Sequence, residues 1–207
     1  MTIYPLFSKV IYVKDIPDIF SLDYELLKKN NEFMATTFEF NQCSKSSKNR
    51  YVLDDFLPLR QFILNEFLNF KNNVFNYSST DFEMTTSWVT KTEKGSQSGY
   101  HIHTNSYYSG ILYMDDDKSP NQVGKLEFMD SNPNQIAPNN TDEFNVYNSS
   151  SWEIEPRKNL IVFFPSNLHH RITFHNSEQP RYSIAFNFFP INSFGKNDSY
   201  LNIRSLK

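Results

Sequence analysis

Apolar residues along this chain follow two different periods, and the change of period divides it. From Asp54 onward, Phe56, Leu59, Ile63, Phe67 and Phe70 recur at steps of three and four, the spacing that lines one face of an α-helix. Asp54 and Asp55 stand where acidic groups favour a helix N-terminus. A shorter helix is expected at 22–30, and a short strand at Val10-Ile11-Tyr12-Val13. After about Asp81 the period falls to two, and short apolar runs alternate with turns rich in Asn, Asp, Ser, Gly and Pro. Strands are expected at 82–90, 100–104, 110–114, 125–129, 151–154, 160–164, 171–174 and 182–188. This many short strands suggests a β-sandwich or barrel. Because the helices precede the strands instead of alternating with them, the pattern predicts a mainly β, α+β chain with helices packed on one side of an antiparallel sheet.

The 207 residues can bury a sizeable core and read as one domain: a support region at 1–80, a β core at 81–190 and a C-terminal extension at 191–207. The polar stretch 130–150 is expected to be a surface loop, with a lid over a neighbouring site as the alternative. Formal net charge is −3 and the Lys and Arg residues are scattered, so no basic stripe is present and nucleic acid is not an expected partner. The single cysteine, Cys43, stands outside any metal-ligand spacing and fits a reducing compartment. The N-terminus lacks a basic start followed by an apolar run, and no segment reaches membrane-spanning length, so a cytoplasmic location without a membrane partner is expected.

Histidine distribution adds chemistry to this frame. Four of the five histidines fall in two tight groups, His101-Ile102-His103 and His169-His170. In an extended strand, alternate side chains share a face, so His101 and His103 project together while Ile102 points into the opposite layer. A third ligand from a distant strand would complete a facial half-shell with open positions, an arrangement suited to non-heme iron. His175, between Phe174 and Asn176 in a polar turn, reads instead as a surface group or a hydrogen-bonded core residue. Downstream, period two puts Arg181, Ser183 and Asn187 on one face and Tyr182, Ile184 and Phe186 on the other. An arginine on the histidine-bearing face needs an anion. Its fork either pairs internally with one of the 23 acidic residues or takes a carboxylate bidentately, with the serine hydroxyl adding a further hydrogen bond.

At these residues the chain resembles the 2-oxoglutarate- and iron(II)-dependent oxygenases, in particular an uncharacterised set related in fold to the prolyl hydroxylases. The likeness runs in order through Trp88, Gly95, the segment from His101 to Ser106, Ser109-Gly110-Ile111-Leu112-Tyr113, Gly124-Lys125-Leu126-Glu127-Phe128, Phe164-Pro165-Ser166 with His170, and Arg181-Tyr182-Ser183-Ile184-Ala185-Phe186-Asn187. The resemblance implies a double-stranded β-helix, or jelly roll, with iron(II) held in its open mouth. It also implies that Arg181 and Ser183 grip the distal carboxylate of the cosubstrate 2-oxoglutarate. Tyr113, otherwise a core aromatic, could add its hydroxyl there, and Asn187 completes the candidate cosubstrate-binding set. Trp88 and Phe164 read as packing residues. The implied reaction is hydroxylation of a bound substrate coupled to decarboxylation of 2-oxoglutarate to succinate. The substrate, a small molecule or a protein side chain, stays open.

One departure stands out. The wider superfamily uses His-x-Asp for its first two ligands. Here the matching segment is His101-Ile102-His103 or, in another register, His103-Thr104-Asn105. The ligands are therefore expected to be His101, His103 and His170, with Asn105 as the alternative donor; either choice removes a negative charge and should weaken iron(II) binding. His170 is preferred over His169 because it aligns after the Phe-Pro-Ser turn, and adjacent strand residues point to opposite faces. Two further readings compete. One is a cupin-like three-histidine metalloprotein that does not use 2-oxoglutarate; the other is a jelly-roll binding protein without enzymatic activity.

Overall fold

The computed structural model describes residues 1–4, 6–35, 44–116, 119–132 and 141–203. In chain order the elements are β1 (Tyr12–Asp15), α1 (Ser21–Asn30), β2 (Phe33–Ala35), β3 (Ser44–Ser47), α2 (Leu57–Phe75), β4 (Asp81–Thr92) and β5 (Tyr108–Tyr113). There follow β6 (Leu126–Met129), β7 (Ser151–Ile154), β8 (Leu160–Pro165), β9 (His169–Ile172), β10 (Arg181–Phe194) and β11 (Leu201–Ile203). Two antiparallel sheets result. The larger runs β1-β8-β5-β10-β4-β3-β2, with β11 added beside β10; the smaller runs β7-β6-β9. The chain is thus mainly β, in the double-stranded β-helix arrangement, with its two long helices applied to one side.

Period-two alternation in the central strands explains how the larger sheet serves two cores. Tyr108 and Leu112 of β5, Ile161 and Phe163 of β8, and Ile184, Phe186 and Phe188 of β10 face the helices. There they meet Leu59, Ile63, Phe67 and Phe70, the apolar face of α2 read from its three-and-four spacing. Phe67 lies flat on Phe188 at 4.1 Å and 6°, and edge-on to Phe163 at 5.6 Å and 84°. The alternate residues Ile111, Tyr113, Val162 and Phe164 point the other way, against Leu126 and Phe128 of the smaller sheet. A strand buried on both faces reads as a continuous apolar run, which is why Leu160–Phe164 shows no polar alternation.

Several boundaries differ from expectation. The helix foreseen from Asp54 starts at Leu57, and Asp54 and Asp55 lie in a preceding 3-10 turn; Pro58 occupies the first helical turn, where its missing N–H costs no bond. The first strand begins two residues later than its apolar run, and the strand expected at 171–174 starts at His169 and ends at Ile172. The expected strand 100–104 does not form: His101 makes a single antiparallel bridge with His170, and the His103 N–H donates to the Ser166 carbonyl at 2.9 Å. β2 and β3 were not foreseen, because Ser44-Lys45-Ser46-Ser47 carries no apolar signal. Backbone pairing with β2 and β4 holds it instead, and the Val89 N–H donates to Ser47 Oγ at 3.0 Å. The ends of the expected loop at 130–150 meet where the Asp130 N–H donates to the Ser150 carbonyl at 2.8 Å. Cys43 lies outside the described residues. No helix among the described residues is long and apolar enough to cross a membrane.

Candidate metal centre and adjoining cavity

His101, His103 and His170 come together at the end of the sandwich, each offering a ring nitrogen within 4.8 Å of the others. The backbones of His101 and His170 exchange both hydrogen bonds, at 3.0 and 3.1 Å, so their side chains leave the bridge on the same side with rings 4.3 Å apart. His103 joins from the following turn, its ring 5.0 Å from that of His170 and 5.5 Å from that of His101. The three residues share a face although only one sits in a β-strand. His169, the other half of the doublet, is not part of the cluster.

Each imidazole is oriented through its Nδ1. That of His101 meets the Gly99 carbonyl, that of His170 the Leu168 carbonyl and that of His103 the Asn187 Oδ1, all at 2.9 Å. Oxygen acceptors at these positions place the proton on Nδ1 and leave Nε2 as the free lone pair. Burial is the main cause that pulls the His103 pKa down to about 4, against the raising effect of Asn187, and it holds His170 well below the usual histidine range. Both rings are therefore neutral near pH 7. Neutral donors with bonds of about 2.1 Å suit a divalent transition metal. Phe164 does more than pack, since its ring lies 4.6 Å from that of His170 and shields it.

The brace behind His103 was only partly foreseen. Asn187 lies on the expected face of β10, but both ends of its amide are committed: Oδ1 accepts from Ser109 Oγ at 2.7 Å as well as facing His103, and Nδ2 donates to Thr86 Oγ1 at 3.0 Å. Asn187 thus braces His103 and also lines the cavity beside the histidines. Ser166 extends the network, 2.8 Å from both Ser109 and Ser106. Asn105, the alternative ligand, sits in an exposed turn with φ +56° and is not among the residues lining the cavity, which removes it as a donor. His175 is a hydrogen-bonded core residue, fully buried; its Nδ1 accepts from the Gly124 N–H at 3.2 Å and its Nε2 donates to the Gln179 carbonyl at 2.9 Å.

A cavity of about 540 Å³ opens beside the histidines, and Arg181 and Ser183 line its wall. Arg181 is buried, with Nη1 donating to the Gly124 carbonyl and Nη2 to Thr92 Oγ1 at 3.0 Å. No carboxylate pairs with it, so the internal ion pair weighed from sequence is absent among the described residues. Arg181 Nε, Ser183 Oγ and the Tyr113 hydroxyl are all buried without a hydrogen-bond partner. They are neighbours: Ser183 pairs directly with Tyr113 across β10 and β5, and the Arg181 guanidinium lies 5.2 Å from the Tyr113 ring. Burial pushes the Tyr113 phenol up and the Arg181 guanidinium down. Buried donors left unpaired each cost about 1–3 kcal/mol, so this cluster has room for an acceptor that the described residues do not supply.

The comparisons with known proteins agree with this geometry. Residues 86–187 match the family model described as "Putative 2OG-Fe(II) oxygenase". No curated protein sequence matches the chain. Among solved structures, a Pseudomonas putida prolyl-4-hydroxylase is similar in fold, with TM-score 0.58 and 14% identity over 88% of this chain and 94% of that one. HygX from Streptomyces hygroscopicus, with nickel, 2-oxoglutarate and hygromycin B bound, matches with TM-score 0.55 and 9% identity over 88% and 83%. The non-heme alpha ketoglutarate dependent epimerase SnoN from nogalamycin biosynthesis matches with TM-score 0.63 and 10% identity over 90% and 81%. Residues 86–187, which contain every candidate ligand, are thus the part of the chain that is similar to the 2-oxoglutarate and iron(II) oxygenases.

Proposed function

We propose that this chain is a 2-oxoglutarate-dependent iron(II) oxygenase of the hydroxylase type, with His101, His103 and His170 holding the metal and Arg181, Ser183 and Tyr113 holding the distal carboxylate of the cosubstrate. Iron and 2-oxoglutarate together supply oxidation by dioxygen, in which 2-oxoglutarate becomes succinate and carbon dioxide and one oxygen atom goes to the substrate. The chain's own contribution is positioning. Gly99, Leu168 and Asn187 fix the tautomer that presents each Nε2. Arg181, anchored on Gly124 and Thr92, keeps its Nε–H free for an anion, and Ser183 and Tyr113 add two hydroxyl donors. Ile111, Leu126 and Phe164 line the cavity with apolar surface that excludes water.

The observation that carries this reading is that Arg181 and Ser183, each with a buried unpaired donor, line the same cavity as the three histidines, with the unpaired Tyr113 hydroxyl next to them. Three imidazoles alone would equally suit a cupin-like site, and the histidine set contains no carboxylate. In a cupin-like centre Arg181 would instead serve the substrate itself, whereas the oxygenase reading gives all three donors one acceptor, the distal carboxylate.

Anaerobic titration with iron(II) and then 2-oxoglutarate tests the proposal. The expected result is a weak visible charge-transfer band that needs both components and is lost in Arg181→Ala, which still binds iron. Iron binding with no band at any 2-oxoglutarate concentration would move the assignment to the cupin-like reading. Failure to bind iron would leave a binding protein.

A further inference from the structure

The same cavity has a second cation that the metal and cosubstrate do not use. Arg50 lines it together with Trp88, Ser46 and Thr90. Arg50 comes from the chain before α2, outside residues 86–187 that match the family model. Its backbone is fixed to β4: the Ser87 N–H donates to the Arg50 carbonyl at 2.8 Å, and Tyr51 bridges to Ser87. Its guanidinium lies 6.0 Å from the Trp88 ring, and the Trp88 ring lies 5.7 Å from that of His103. Trp88 therefore stands between Arg50 and His103, its ring tilted by 58° to that of His103.

The charge along this wall is one-sided. Arg50 makes one side-chain hydrogen bond, from Nη2 to Ser46 Oγ at 3.2 Å, and no described carboxylate pairs with it. The third arginine of the wall, Arg171, is already paired with Glu127 and stacked 4.6 Å over the Tyr100 ring. No described residue lining the cavity is acidic. On the reading proposed above, iron(II) and the 2-oxoglutarate dianion cancel, and Arg181 takes the distal carboxylate. Arg50 is left with most of its fork open and an aromatic face beside it. A planar guanidinium held this way matches a carboxylate in shape and charge.

We propose that Arg50, with Ser46 and the face of Trp88, is the specificity site for the primary substrate, and that this substrate is a small molecule bearing a carboxylate. A cavity of about 540 Å³ is of the size used for small ligands. The proposal rests on the oxygenase reading for what happens to the substrate, but Arg50 can be tested apart from it.

Trp88 supplies the probe. The second tryptophan, Trp152, is 41% exposed on β7 and can be replaced by Phe, so that emission reports Trp88 alone. This protein is titrated with a panel of free amino acids, their N-acetyl forms and simple mono- and dicarboxylates, each beside its amide, and with short peptides ending in acid or amide. The expected outcome is a saturable change with at least one small acid, absent with its amide. It should be weakened roughly tenfold to a hundredfold by Arg50→Gln and less by Arg50→Lys. Response to no acid, an equal response to acid and amide, or no effect of Arg50→Gln would each overturn the proposal. So would a response confined to the peptides, which would make the ligand a protein terminus. The iron(II)–2-oxoglutarate band is recorded in parallel. Its loss in Arg50→Gln would assign Arg50 to the cosubstrate and also defeat the proposal, whereas its absence from the parent protein defeats the oxygenase reading and leaves the Trp88 response to stand or fall separately.

Discussion

At the scale of single residues, the centre depends on side chains that touch no metal. Asn187 holds His103 in one tautomer while tied itself to Ser109 and Thr86. Replacing it by Ala leaves Ser109 Oγ, 2.8 Å from the same Nδ1, as the ring's remaining partner and should weaken iron(II) binding by about tenfold. Thermal unfolding of the metal-free variant should stay close to the parent, so a titration beside a melt separates the two effects; unchanged iron affinity would show that Asn187 does not position the ligand. His170→Ala removes a donor outright and should abolish binding, and iron retention by that variant would take His170 out of the site. The His-x-His spacing and the downstream doublet were legible because four of five histidines fall there. The partners of Nδ1 were not, since two of them are backbone carbonyls, which every residue carries.

At the scale of elements, β5 shows how tightly side chains of neighbouring strands in one sheet close over a glycine. A Cβ added at Gly110 would sit 2.2 Å from Phe186 Cε2 and 2.8 Å from Phe163 Cδ1, on the two neighbouring strands. Gly110→Ala should therefore destabilise by about 1–3 kcal/mol or more through overpacking. A urea transition at the parent midpoint would show that the aromatic rings move aside without cost. The helix α2 and the strands β8 and β10 were readable because an amphipathic face, a doubly buried run and an alternating run are each local patterns. The pair β2 and β3 was not readable, because β2 is only three residues long and Ser44–Ser47 is held by backbone pairing with β2 and β4 and a hydroxyl contact, without an apolar pattern. The segment 100–104 shows the converse case: its pattern matched a strand, yet only His101 bridges.

At the scale of the whole molecule, the larger sheet separates two environments. Its helix side is a dry aromatic core centred on Phe67, and its other side carries the cavity and the site. Phe67→Ala should cost about 3–5 kcal/mol of unfolding free energy, since it empties a fully buried position stacked on Phe188. Below its melting transition the variant should bind iron(II) like the parent, because no ligand contacts that core. A parallel loss of iron affinity would mean that the two faces are coupled through the sheet. The sequence by itself determined the elements whose pattern is local, the face on which Arg181 and Ser183 lie, and the two histidine groups, because a period of two or 3.6 acts between near neighbours. Only the tertiary structure decided that His170 closes on His101, that Arg181 meets Tyr113 instead of an acidic side chain, and that Arg50 stands against Trp88. Such meetings join segments far apart in the chain, and they are set by strand register and by the packing of two sheets, which no local period encodes.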